Sequence, residues 1–225
     1  MLLKEALQSV TAIVLASGSP RRRELLGQML PKDVSFVVQK STFDEDLPKG
    51  DDAALYCVRT AEKKGEEVCA AINDPSRLII SADTVVVLDN VVLEKPADEA
   101  HAVAMLRSLS GRSHDVVTGC ALFHGGRATT FYERTAVQFS SLSDDAIAAY
   151  AATGDPLDKA GGYGIQGRAG ALVERGDFAS ETSSRSTKLI WAGIRYIATA
   201  ASQLCRRTPS GVSTMAVSGA SVRHA

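Results

Sequence analysis

Apolar positions along the chain form short runs of strand length that alternate with helical spacings. AIVLA at 12–16 is a continuous apolar run, and Leu25, Leu26, Met29 and Leu30 recur at helical spacing across 20–30. Together they predict a strand, a tight turn and a helix. VSFVVQ at 34–39 predicts a second strand running into the polar turn STFDEDLPKGD, and 52–72 a long helix carrying the EKKGEE charges. RLIISADTVVVLDNVVLEKP at 77–96 is rich in β-branched residues and broken at Asp89-Asn90, which predicts a hairpin inside the sheet. A helix follows over 97–109, with Ala102, Val103, Leu106 and Leu109 on one face and Gly111 beyond its end. Two more strands, about 114–123 and 127–139, meet at Gly125-Gly126. Ser143, followed by Asp144 and Asp145, reads as the N-cap of a helix ending near Gly154. The glycine-rich GDPLDKAGGYGIQGRAG precedes a final helix at about 183–205.

This alternation predicts an α/β fold without internal repeats or a linker of domain length. Residues 1–205 are expected to form one unit, and the small, polar tail 206–225 to pack weakly. With 225 residues, 45% hydrophobic and 23% charged, the chain has ample length to bury a core. A formal net charge of −1 leaves no global basic field, so any polyanion site must be concentrated locally. Cys57, Cys69, Cys120 and Cys205 are scattered without CxxC or Cys/His spacing, so neither a zinc site nor a disulfide framework is expected. MLLKEALQSV is too short in its apolar part for a signal peptide, and no apolar run reaches the ~18 residues of a membrane span. The expected location is the cytoplasm, with no membrane and no nucleic acid among the partners.

The concentrated basic site is at the first turn. In LASGSPRRRELL, Ser19 suits an N-cap and Pro20 the first helical position, and three arginines follow. They oppose the local helix dipole by a few tenths of a kcal/mol each, so helix stability does not favour them. A phosphate ligand removes the conflict, because a strand-turn-helix junction presents free N–H groups and guanidinium forks grip phosphate oxygens in pairs. The plainer reading is a solvated basic face paired with acids such as Glu24. Asp83, in the middle of IISADTVVVL, is costly to bury without a cation, a metal or several donors, unless Asp83-Thr84 simply forms a local turn. A carboxylate beside phosphate implies a divalent cation between them, with Glu45 of FDEDLP either a second candidate ligand or simply part of a solvated acidic loop. Lys64 and Lys95 are either phosphate-binding point charges or ordinary surface lysines, and Gln166 could read a base edge from its glycine-rich loop.

LASGSPRRRELL, FDED, VRTAEKKG, SADTVVVLDN, LEKP and LDKAGGYGIQG stand in the order and approximate spacing of one family. Over about residues 12–177 the chain resembles the Maf family of nucleoside triphosphate pyrophosphatases. The resemblance implies a mixed α/β fold with a long twisted sheet, flanking helices and a cleft between two lobes, similar to inosine triphosphate pyrophosphatases. It implies that Ser17, Arg21, Arg22, Lys64 and Lys95 bind substrate, that Asp83 is the catalytic proton acceptor, and that Glu45 and Asp83 serve a divalent metal, magnesium or manganese. Arg21, Thr84 and Gln166 match the positions that separate the family's branches, and they look like the branch acting on dTTP and UTP rather than on 7-methyl-GTP. The implied reaction is metal-assisted hydrolysis of a nucleoside triphosphate to monophosphate and pyrophosphate. A homodimer is compatible with it. After residue 177 the chain departs from the family pattern, reading GDFASETSSRSTKLIW, and the tail beyond Cys205 has no counterpart. The rival expectation is a non-catalytic nucleotide- or nucleic-acid-binding regulator of cell division, which needs no metal.

Overall fold

The computed structural model describes residues 7, 10–50, 52–165, 167–176, 215–217 and 220–224. Gln166 and the helix expected at about 183–205 lie outside them. Strand β1 (Ile13–Leu15) is fully buried and runs parallel to β2 (Phe36–Val38) on one side and to the start of β3 (Leu78–Leu88) on the other. Short β4 (Val91–Leu93) folds back on β3 through Asp89 and Asn90, whose φ values of 50° and 64° give the left-handed turn that Asp-Asn tolerates. Long antiparallel β5 (Ser113–His124) and β6 (Arg127–Phe139) follow. β7 (Val173–Gly176) pairs one end of β6, and β9 (Ala220–His224), carrying β8 (Met215–Val217), pairs the other. The result is a mixed sheet of nine strands among the described residues.

The register of β3 opens a window in this sheet. One edge of β3 pairs with β5 from residue 79 through 87. Its other edge is shared: β1 pairs residues 78–80 and β4 pairs residues 86–88. Between these two partners, residues 81–85 have no strand beside them on this edge among the described residues. Asp83 and Thr84 sit in that gap.

Among the described residues, four helices cover the two faces at different points along the long strands. α1 (Pro20–Met29) buries Leu25, Leu26 and Met29, the last two against Ile80, Leu122 and Phe131. Each such side chain contributes about 1.5–3 kcal/mol, which outweighs the few tenths lost by each arginine at the helix start. α2 (Ala53–Ile72) is capped by Asp52 and lies on the opposite face of β3, against Ile79, Val85 and Val87. It comes very close: a Cβ on Gly119 would stand 2.4 Å from the Cys57 and Val58 backbone, and one on Gly65 would stand 2.7 Å from the Ser81 hydroxyl oxygen. Gly119 is the register partner of Asp83, so this close approach brings the α2 side chains onto the carboxylate. α3 (Glu99–Leu109) and α4 (Asp144–Ala151), the latter capped by Ser143 as expected, pack a second core around Leu88, Val137 and Phe139. The two cores lie toward opposite ends of β3, and the window falls between them.

Buried His114 belongs to the second core, where its Nε2 is 2.6 Å from the Tyr163 hydroxyl and its ring meets Phe139 edge-on. Burial pushes its pKa down to about 4. Between roughly pH 6.5 and 4 the unfolded chain therefore binds a proton at this residue that the folded chain refuses, and stability falls as pH falls. Thermal melts of wild type and His114→Phe across that window are expected to differ in slope by up to about 1.4 kcal/mol per pH unit, with the variant flatter. Equal slopes would contradict the assignment.

Candidate active site

The β1–α1 junction is built as its residue types require. Ser19 caps α1 by accepting from the Arg22 amide at 3.4 Å, Pro20 opens the helix, and no acid occupies its first turn. Ser17 is buried, and its hydroxyl accepts from the Ser19 amide and from Arg22 Nη1, both at 3.3 Å. The three arginines diverge. Arg22 reaches into the window, donating to the Ala82 carbonyl at 2.8 Å and to Thr84 Oγ1 at 3.1 Å. Beyond residue 80 β1 no longer pairs with β3, so Arg22 takes the place of a strand partner there. Arg21 turns toward the glycine-rich loop, where a Cβ on Gly164 would stand 2.9 Å from its Nη2. Arg23 is exposed.

On the other face of β3, Tyr56, Thr60 and Lys64 follow one another at four-residue spacing along α2 and are all buried. Lys64 Nζ lies 2.8 Å from Asp83 Oδ1 and 2.8 Å from Glu45 Oε1, so one ammonium joins two carboxylates. Asp83 is in mid-strand, which removes the local-turn reading. Its side chain is only 6% exposed, that of Lys64 10%, and that of Glu45 40%. Burial raises the Asp83 carboxyl above its ordinary range, and the opposing charges of Lys64 and Arg22 do not fully offset it. Burial also raises Glu45, but there the Lys64 hydrogen bond and charge, with Lys95 and Arg22, win and hold it below the usual carboxylate range. The two carboxylates are thus pushed in opposite directions, a pattern typical of acid–base chemistry.

Lys95 is exposed just outside this group, close enough for its charge to act on Glu45. Ser17, Arg22, Glu45, Thr84, Lys64, Asp83 and Lys95 are therefore brought together, whereas Arg21 stands at the glycine-rich wall. Among the described residues no group of three or more His, Cys, Asp or Glu side chains could hold a metal ion. Glu45 and Asp83 each place one oxygen on the Lys64 ammonium, and magnesium is commonly held by one or two carboxylates together with substrate phosphates. The donor set fits that mode.

A family model described as Maf-like protein matches residues 12–180. The chain belongs to that family. Among its relatives, the dTTP/UTP pyrophosphatase of Symbiobacterium thermophilum is 47% identical over 161 residues, covering 72% of this chain and 80% of the relative. That of Halalkalibacterium halodurans is 45% identical, covering 74% of this chain and 86% of the relative. That of Bacillus mycoides is 40% identical, covering 79% and 92%. A crystal structure of a nucleoside-triphosphatase / dITP/XTP pyrophosphatase from Mycobacterium abscessus superposes with a TM-score of 0.42 at 14% identity, over 86% of this chain and 98% of that one.

The Maf motifs do not exhaust the polar residues around the window. Tyr56 donates to the Glu45 carbonyl at 3.5 Å and to Glu94 at 3.3 Å, and Glu94 also pairs with Lys49 at 2.8 Å. The Tyr56–Lys64 spacing on an apolar helix face is the signal that could have found Tyr56 in the sequence. Thr118, 3.1 Å from the Thr84 hydroxyl, lies opposite it in the β3–β5 register and has no local sequence signal.

Proposed function

We propose that this Maf-family protein hydrolyses dTTP and UTP to the nucleoside monophosphate and pyrophosphate. The observation that carries the reading is the buried Lys64 ammonium between Asp83 and Glu45, beside an arginine-bearing helix N-terminus. The names of the relatives supply the nucleotide class. The triphosphate enters the window at residues 81–85, where the Ser17–Ser19 turn and the α1 N-terminus offer donors to its phosphates. Lys64 and Lys95 offset the charge that builds on the leaving pyrophosphate, while Arg22 fixes the turn to β3. Asp83, whose proton affinity is raised, accepts the proton of the attacking water. Glu45 and Asp83 would hold a divalent cation, magnesium or manganese, which when bound neutralises phosphate charge and makes water a better nucleophile. Arg21, which lies against the glycine-rich loop, Thr84, which accepts from Arg22, and Gln166 are the residues assigned to distinguishing the base.

The test is a panel of nucleoside triphosphates with magnesium or manganese, ranked by kcat/KM. The reading expects dTTP and UTP at the top by at least tenfold. Preference for 7-methyl-GTP would assign the other branch, and binding of nucleotide without turnover would replace the enzyme by a binding module.

A further inference from the structure

The acidic loop that delivers Glu45 has no helix or strand among its described residues, yet Glu45 must be held near Lys64 and Asp83. We propose that Glu67, on α2, is the positioning residue for Glu45, clamping the start of this loop through hydrogen bonds that converge on its single carboxylate. The proposal rests on the reading that Glu45 belongs to the site. The Ser41 and Thr42 hydroxyls both donate to Glu67. The Thr42 amide lies 3.2 Å and 3.0 Å from its two oxygens, and the Phe43 amide 3.0 Å from Oε2. The Ser41 oxygen accepts in addition from the Phe43 amide at 3.1 Å, closing a local turn inside the clamp.

Two features make this a device for Glu45 rather than a general surface contact. Glu67 follows Lys64 by three residues, so both side chains leave neighbouring positions on the same helix. The clamped Phe43 precedes Glu45 by only two residues, a chain length of at most about 7 Å, which leaves little freedom to the carboxylate. Beyond that point the loop is tied by Leu47, packed against the core around Tyr56 and Val85, by the long 3.5 Å contact from Tyr56 to the Glu45 carbonyl and by the exposed Lys49–Glu94 pair. The Glu45 side chain itself is 40% exposed, so its ion pair with Lys64 is partly screened. The clamp therefore fixes the chain on the N-terminal side of Glu45, and misplacement of a catalytic group by about 1 Å can cost 10²-fold in rate.

The experiment compares Glu67→Ala and Glu67→Gln with Glu66→Ala, whose carboxylate pairs with Lys63 on the same helix. In the nucleotide-free protein, exchange of the Thr42 and Phe43 amides is expected to quicken at least tenfold in Glu67→Ala and less in Glu67→Gln, which keeps one acceptor oxygen. It should remain at the wild-type rate in Glu66→Ala. With dTTP, kcat of Glu67→Ala is expected to fall about tenfold with KM within twofold. In a Glu45→Gln background the same change should cost less than twofold, since its effect passes through Glu45. Unchanged exchange in Glu67→Ala, or an equal loss of kcat in both backgrounds, overturns the proposal. If wild type turns over no nucleotide, the proposed function fails, while the exchange arm still decides the clamp.

Discussion

Replacing Asp83 by Asn is expected to lower kcat about a thousandfold and to leave the fold intact. The amide has the shape of the carboxylate and occupies the same mid-β3 position opposite Gly119, so packing under α2 is preserved. Lys64 keeps Glu45 as a partner, and no buried cation is left alone. What disappears is the carboxylate of the Asp83–Glu45 pair whose proton affinity is raised on balance, and general-base contributions of this kind reach about 10²–10⁴-fold. Steady-state kinetics with dTTP and a thermal melt check both halves together. Activity within tenfold of wild type would remove Asp83 from the chemistry, and collapse of the melt would show that its role is structural.

The second large effect is expected at Lys64. Its ammonium and the Asp83 carboxylate form a pair with side chains 10% and 6% exposed. Lys64→Met fills similar volume but leaves Asp83 buried, unpaired and facing the like charge of Glu45. Breaking a buried pair from one side costs about 3–5 kcal/mol, and protonation of Asp83 is the route by which the folded state limits that loss. Denaturant unfolding should show this destabilisation at neutral pH and less of it toward acid pH. Adding Asp83→Asn to Lys64→Met should recover most of the stability, because no uncompensated charge remains. Turnover is expected to vanish in both. A fully additive double variant would mean that the two residues do not act as the pair their 2.8 Å separation describes.

Much of this was legible in the chain. The apolar run ending at Ser17 and the helical spacing from Leu25 to Leu30 locate the strand–turn–helix junction, because strand, cap and proline each have a local cause. Asp89-Asn90 marks the hairpin for the same reason, and Ser143 the start of α4. A charged residue inside a β-branched run pointed to Asp83, and burial penalties explain why such a signal carries. Tertiary relations were not legible. Three adjacent arginines look equivalent in sequence, but Arg22 crosses to Ala82 and Thr84 because β1 stops short of the window, while Arg21 turns to Gly164. Thr118 faces Thr84 only through strand register, and Glu67 grips residues 24–26 positions upstream, separations that no periodicity encodes.

The most direct measurement is product identity. Purified protein with dTTP and magnesium in 18O-enriched water, followed by phosphorus NMR and mass spectrometry, identifies the bond that breaks. One pyrophosphate per nucleoside monophosphate, with no orthophosphate, is the expected result. The label then enters the monophosphate if water attacks the α-phosphorus and the pyrophosphate if it attacks the β-phosphorus. Orthophosphate with nucleoside diphosphate, or no product from any triphosphate, would contradict it.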